Sequence, residues 1–278
     1  MLCRIANMAL CFTLGFACAG TACADVPMAL DRASLWVGGF YPTVDASVSA
    51  NGDDLSGSDV DFRRDLGLYK NRTLSNVRLD FLVFDNQGFT FGGYRYARSA
   101  TNMLDRDIMF DGDTYHANAY VHARLSLQTY YATWHWWFET GDLDVVGVGL
   151  GAAYYDLRGA IDGNVDVTGG SIIGAESSGR GEAEGSAVAP LLTLGWKHAF
   201  SDRWRGFADF SGVRKPSGAF TGHLLNGRIG LEYFPWKNIG AALEYDRTDL
   251  DVKADKRSWT GRAKIRFRGP SAFVRLRW

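Results

Sequence analysis

Apolar and polar residues alternate one by one at the end of the chain. Ala272, Val274, Leu276 and Trp278 fall on one face, and Phe273, Arg275 and Arg277 on the other. A period of two is that of a β-strand with one apolar face. The same period recurs upstream. It predicts a first strand over Leu35 to Ala50, with Trp36, Phe40, Val44, Ala46 and Val48 on one face. In the second, Val77, Leu79, Phe81 and Val83 oppose Asn76, Arg78 and Asp80. The third, Phe89 to Thr101, shifts its apolar parity near Gly92-Gly93, which predicts a bulge. In the fourth, Val121, Ala123, Leu125 and Leu127 alternate with His122, Arg124, Ser126 and Gln128. It runs into Trp134-His135-Trp136-Trp137-Phe138, beside the turn Glu139-Thr140-Gly141-Asp142. An aromatic cluster next to a short turn predicts an interfacial girdle.

The fifth strand sets Val146, Val148, Leu150, Ala152 and Tyr154 against Gly147, Gly149 and Gly151. That glycine spacing is not the dinucleotide fingerprint; it predicts room for long neighbouring side chains. The sixth carries Val188, Leu192, Leu194 and Trp196, and the seventh, Arg205 to Arg214, alternates least clearly. Leu225, Ile229, Leu231 and Tyr233 mark the eighth strand, and Ile239, Ala241, Leu243 and Tyr245 the ninth. The last alternates from Trp259 through Ala263, Ile265 and Phe267, then changes parity at Gly269-Pro270.

Connections near Asn86, Gly141, Asp202 and Trp236 are short, whereas those near residues 57, 110, 175, 218 and 255 are mostly longer and acidic. The two kinds alternate, as do the periplasmic turns and external loops of a bacterial outer-membrane barrel. The predicted fold is therefore all-β: a transmembrane, antiparallel up-and-down β-barrel of ten strands. Eight is the alternative if the seventh and eighth form no membrane hairpin.

Composition agrees with this reading. Aromatics make up 14% of 278 residues, with nine Trp and twelve Tyr, and 33 Gly stand against 6 Pro. A formal net charge of −1 argues against a general nucleic-acid partner. Arg4, the apolar run from Ile5 to Cys18 and the small-residue site Ala22-Cys23-Ala24 predict a signal peptide over residues 1–24. One barrel domain would then occupy residues 25–278. All four Cys lie in the leader, so the mature chain would have no disulfide, thiolate metal site or Cys nucleophile. Gly15 and Gly20 stand where a lipoprotein signal would carry a bulky aliphatic residue.

Gly39-Phe40-Tyr41-Pro42, Asp61-Phe62 with Asp65-Leu66-Gly67-Leu68, Leu104-Asp105-Arg106-Asp107-Ile108, Gly230-Leu231-Glu232-Tyr233 and the stretch from Gly269-Pro270 to Trp278 carry a family likeness. On these residues the chain resembles small Gram-negative outer-membrane barrels of the OmpA-like and OmpW-like group. It looks most like an uncharacterised proteobacterial outer-membrane barrel family. The resemblance implies the outer membrane as location and outer-membrane lipid and lipopolysaccharide as surroundings. It also implies delivery by the barrel-assembly machinery through the C-terminal strand. It brings no catalytic residue, and a monomer is expected.

No catalytic, cofactor-binding or metal-binding residue is assigned, and no cofactor is expected. The histidines of the mature chain are His116, His122, His135, His198 and His223. None falls in a motif with a nucleophilic Ser or an Asp pair. His116 and His122 lie nearest the outer loops, close in sequence to Asp105, Asp107, Asp111 and Asp113. Asp53-Asp54 and Asp111-Gly112-Asp113 lack the calcium-loop pattern. Solubility is the plainer reason for such charge. The expected role is structural or interactive at the cell surface, or restricted passage of a small solute, through a lumen filled by side chains. The alternative is an outer-membrane hydrolase acting on lipid or peptide at the outer rim.

One expectation concerns what fills the lumen. Thr260, Arg262, Lys264, Arg266 and Arg268 share a face of the last strand. Four cations in hydrocarbon would be costly, which turns that face inward. A hairpin centred on Asp255 sets Glu244 opposite Arg266 and Asp246 opposite Lys264, with Asp80 and Arg78 joining the ladder.

Overall fold

A computed structural model describes residues 26–52, 55–56, 60–62, 64–66, 73–110, 113–115, 117, 119–166, 176–215, 220–256 and 259–278. The expected signal peptide lies outside the described residues. The strands are β1 (Ala33–Phe40), β2 (Thr43–Gly52), β3 (Leu55–Ser56), β4 (Val60–Asp61), β5 (Leu74–Val83), β6 (Gln87–Met103), β7 (Ile108–Phe110) and β8 (Asp113–Tyr115). They continue as β9 (Tyr120–Glu139), β10 (Asp144–Asp166), β11 (Glu176–Ala199), β12 (Trp204–Lys215), β13 (Phe220–Tyr233), β14 (Ile239–Lys256) and β15 (Trp259–Arg277).

Neighbours pair antiparallel in the order β1-β5-β6-β9-β10-β11-β12-β13-β14-β15, and β15 returns to β1 and β2. Phe40 faces Ser271 and Thr43 faces Arg268, so β1 and β2 are one stave along β15 with no residue inserted between them. Two prolines, Pro42 and Pro270, interrupt the ladder there because neither has an N–H to give. Tyr41 N–H donates to Pro270 O at 2.9 Å. A side chain on Gly269 would strike the Tyr41 carbonyl. The barrel thus has ten staves. The faint seventh and eighth strands are β12 and β13, paired from Trp204↔Tyr233 to Lys215↔Gly222, so ten strands form rather than eight.

Every stave keeps one register, but its two faces exchange chemistry part-way up. On β9 the outward residues Tyr130, Trp134, Trp136 and Phe138 give way to Gln128, Ser126 and Arg124. On the inward side, His135, Thr133 and Thr129 give way to buried Leu127, Leu125, Ala123 and Val121. On β10 outward Val146, Val148, Leu150 and Tyr154 are followed by Asp156 and Arg158. On β14 Leu243 and Tyr245 are followed by Arg247 and Asp249. The lower half is apolar outside and polar within; the upper half is the reverse. Tyr130 to Phe138 is about the length of a strand that crosses a bilayer at a tilt. The exchange therefore marks the membrane surface on the long-loop side.

This exchange corrects one expectation and accounts for another. β6 pairs β5 and β9 without a break through Gly92 and Gly93, so no bulge exists there. β15 pairs β14 without a break through Gly269 and Pro270. In both strands the apolar residues change sides because the surroundings change from lipid to water. Trp137 corrects a further expectation. It points inward, while Trp134, Trp136 and Phe138 face out. The girdle at that end is completed by Trp196, Phe200, Trp204, Trp236 and Trp278 on other staves.

Candidate functional site

The barrel interior is layered from the short-turn end upward. Residues ahead of β1 turn into the base, where Ala29 and Leu30 pack on Trp137, Val145 and Ala199. Asp31 accepts hydrogen bonds from Arg205 Nη1 at 2.9 Å and Arg275 Nη2 at 2.6 Å. Arg275 also pairs with buried Glu232 and lies 4.3 Å over the Trp36 ring. The Trp137 ring lies flat because Gly88, Gly147 and Gly195 face it from three other staves. A Cβ on Gly147 or Gly195 would come within 2.8 or 2.7 Å of that ring. The expected use of glycines as space for a long neighbour holds for Gly147.

A charged layer follows at mid-height. Arg78 donates to both oxygens of Glu244 at 2.9 and 3.0 Å, across the lumen from β5 to β14. Its guanidinium stacks 4.6 Å from the Trp36 ring centre. Arg228 pairs with Asp209 at 3.1 Å, and the Tyr131 hydroxyl accepts from Arg228 at 3.2 Å and from Arg78 at 3.3 Å. Asp80 accepts from Trp36 Nε1 at 2.7 Å and from Thr90 at 2.8 Å. Asp246 accepts from Ser271 at 2.6 Å.

The ladder expected from the sequence is corrected here. Glu244 lies opposite Ser271 and Asp246 opposite Gly269; Arg266 meets Asp249 and Lys264 meets Asp251. The hairpin turns beyond Asp255, and the shift is an odd number of residues, which reverses the faces. Lys264, Arg266 and Arg268 therefore point outward, while Ile265 and Phe267 are buried inside. These cations stand above the apolar band, so no hydrocarbon opposes them. Glu244 does sit in the lumen with Arg78, as the inclusion of Arg78 anticipated. Asp31, Arg205, Arg228 and Asp209 were not anticipated. The sequence signal for Arg205, Asp209 and Arg228 is a charge at an inward position of a stave whose outward positions are mostly apolar; Asp31, ahead of β1, has none.

Above the charged layer lies a cavity of about 60 Å³, bordered by Asn76, Tyr131, Thr193, Asn226 and Arg228. Asn76 Oδ1, Thr133 Oγ1, His135 Nε2 and Thr193 Oγ1 are buried along it without a protein partner, which suits a few bound waters. The upper lumen is then closed by an apolar core of Phe40, Val44, Leu74, Tyr96, Leu125 and Phe267, with others. Val60, Phe62 and Leu66 from the first long loop, and Leu104 and Ile108 from the second, complete it. Asp65 ties the loops together, accepting from Arg106 at 2.6 Å and from the Asp61 N–H at 3.0 Å. Burial alone would raise the Asp65 carboxyl, but the bonds from Arg106, Arg64 and Asp61 hold it below the ordinary carboxylate value.

The histidines do not converge. His122 bonds Thr101 at 3.0 Å on the outer surface of the wall. His135 is buried in the lumen, stacked on Trp137. His198 pairs with Asp144 at 2.7 Å, but at the short-turn end. His223 lies opposite Asp251, whose carboxylate accepts two bonds from Arg262 at 2.9 and 2.6 Å. Among the described residues no group of three His, Cys, Asp or Glu side chains is arranged to hold a metal. His116, Asp53-Asp54 and Asp111-Gly112 lie outside the described residues.

Comparisons with protein-family models and with curated proteins find no match. Among solved structures, the outer-membrane protease OmpT from Escherichia coli superposes with a TM-score of 0.58 at 9% identity, over 88% of this chain and 97% of that one. The translocator domain of the autotransporter NalP from Neisseria meningitidis gives 0.42 at 13% identity, over 88% and 87%. Ail of Yersinia pestis gives 0.30 at 12%, over 89% and 100%. The likeness to OmpT is one of fold. With the closed wall and its lipid-facing band, it identifies the chain as an outer-membrane β-barrel.

Proposed function

We propose that this outer-membrane barrel is a closed, non-conducting body that anchors and displays a rigid rim outside the cell. The observation carrying this reading is the succession of three layers across the lumen. They are the plug at Leu30 and Asp31, the charged layer around Arg78 and Glu244, and the apolar core at the outer end. A general pore needs a continuous wet path, and each layer interrupts one. The upper half is built like a soluble barrel, with its own apolar core, which suits a platform for surface contacts. A hydrolase would need a base beside a carboxylate at the outer rim. His122 and His223 each lie opposite a carboxylate there, Asp162 and Asp251, but Arg124 and Arg262 already hold those carboxylates. The proposed reading is therefore of a protein without enzymatic activity.

Planar-bilayer recording tests the proposal. The purified barrel is expected to give no steady conductance, and deletion of residues 26–32 together with Glu244→Ala and Arg78→Ala is expected to raise leak events. Sustained open-channel current from the unaltered barrel overturns it.

A further inference from the structure

The outward face of β11 to β14 is not a plain lipid surface. A groove of about 1230 Å³ runs up it, almost wholly apolar until its upper end. Leu192, Leu194, Phe210, Leu225 and Ile229 form its sides, each more than half exposed. Gly212 and Gly227 have no side chain, and Leu225 and Phe210 from the neighbouring strand lean over them. The wall also parts there. β11 and β12 pair only as far as Leu192↔Gly212. The next outward residue of β11 is Pro190, which has no N–H to continue a ladder, while β10 still pairs with β11 at Ala152↔Pro190.

The upper end of the groove is charged, with two arginines against the carboxylates of Asp249 and, opposite His223, Asp251. Arg214, His223 and Arg247 border it, with Arg214 opposite His223 and Arg247 opposite Gly227. Arg247 bonds Asp249 at 2.7 Å, but that carboxylate also holds Arg266, so one anion is shared by two guanidinium groups. Arg214 is exposed and has no ion-pair partner among the described residues. These groups stand directly above the apolar band on the long-loop side. The headgroups of the outer leaflet meet the wall at that height, and guanidinium is well matched to phosphate.

We infer that this groove binds one phosphorylated glycolipid of the outer leaflet, with an acyl chain along Leu192, Leu194 and Phe210 and a phosphate between Arg214 and Arg247. The apolar slot alone would accept any chain. Arg214, without an ion-pair partner among the described residues, and the shared carboxylate at the mouth select an anionic headgroup. The slot is continuous with the band that already faces lipid, so the ligand reaches it by lateral diffusion.

The test uses the full barrel in phosphatidylcholine nanodiscs containing lipid A, dephosphorylated lipid A or phosphatidylglycerol, with lipid retained per barrel counted by native mass spectrometry. Lipid A is expected to remain bound at about one per barrel, and the other two at least about tenfold less. Arg214→Glu with Arg247→Glu should lower lipid A retention about tenfold while leaving heat-modifiable gel migration intact. Gly227→Leu should do the same by pushing the Phe210 ring into the slot; if it does not fold, the double arginine variant decides. Equal retention of the dephosphorylated lipid or of phosphatidylglycerol, or unchanged retention in the arginine variant, overturns the inference.

Discussion

Arg78 and Glu244 form a two-bond ion pair buried in the lumen. Removing one leaves an uncompensated charge. Glu244→Leu should cost about 3–5 kcal/mol in urea unfolding from lipid vesicles. Arg78→Met in the same chain should recover much of that loss, whereas Arg266→Glu should recover none, since Arg266 points outward. Trp137 depends on absence rather than charge: Gly147 and Gly195 must remain bare for its ring to lie flat. Gly195→Val should therefore block folding, seen as loss of the heat-modifiable band, and Trp137→Ala should relieve part of the block. The need for glycine opposite a long side chain was legible in the sequence. That the side chain is Trp137 was not, because its aromatic neighbours in Trp134-His135-Trp136-Trp137-Phe138 suggested a single outward cluster.

At the scale of elements, the staves were legible and their registers were not. A period of two marks a strand wherever one face is apolar, whichever way that face points. It cannot say which side faces lipid, and so the change of parity in β6 predicted a bulge that does not form. The hairpin between β14 and β15 shows the cost. An error of an odd number of residues turned its cations inward. The loops that close the outer end are held by Asp65, Arg106 and the apolar residues Leu66, Leu104 and Ile108. The folded-state value of the Asp65 carboxyl lies below its ordinary value, so this contribution is present above the ordinary value, near pH 4, and is lost as pH falls through the lowered one. Limited proteolysis within residues 60–66 should rise below about pH 4 in the unaltered barrel. In Asp65→Asn it should already be high at neutral pH. Equal resistance of the two proteins at pH 7 would show that the carboxylate does not hold the cap.

For the whole molecule, one architecture serves two solvents. Below Tyr130 on β9 and Tyr154 on β10, apolar side chains face lipid and polar groups pack inside; above them the chain reverts to an apolar core within a polar wall. The alternation of short turns and long loops made the barrel and its strand number legible. The height at which lipid ends was hidden, because it depends on comparing neighbouring staves at one level. Cysteine scanning along β9 tests this division most directly, since all four native cysteines lie in the first 23 residues. Cysteines at Arg124, Ser126 and Gln128 should react with a membrane-impermeant maleimide on intact cells. Those at Trp134 and Trp136 should be shielded by lipid, and those at Ala123 and Leu125 by the core. Shielding at Arg124 and Ser126 together with labelling at Ala123 and Leu125 would contradict the exchange of faces on which this account rests.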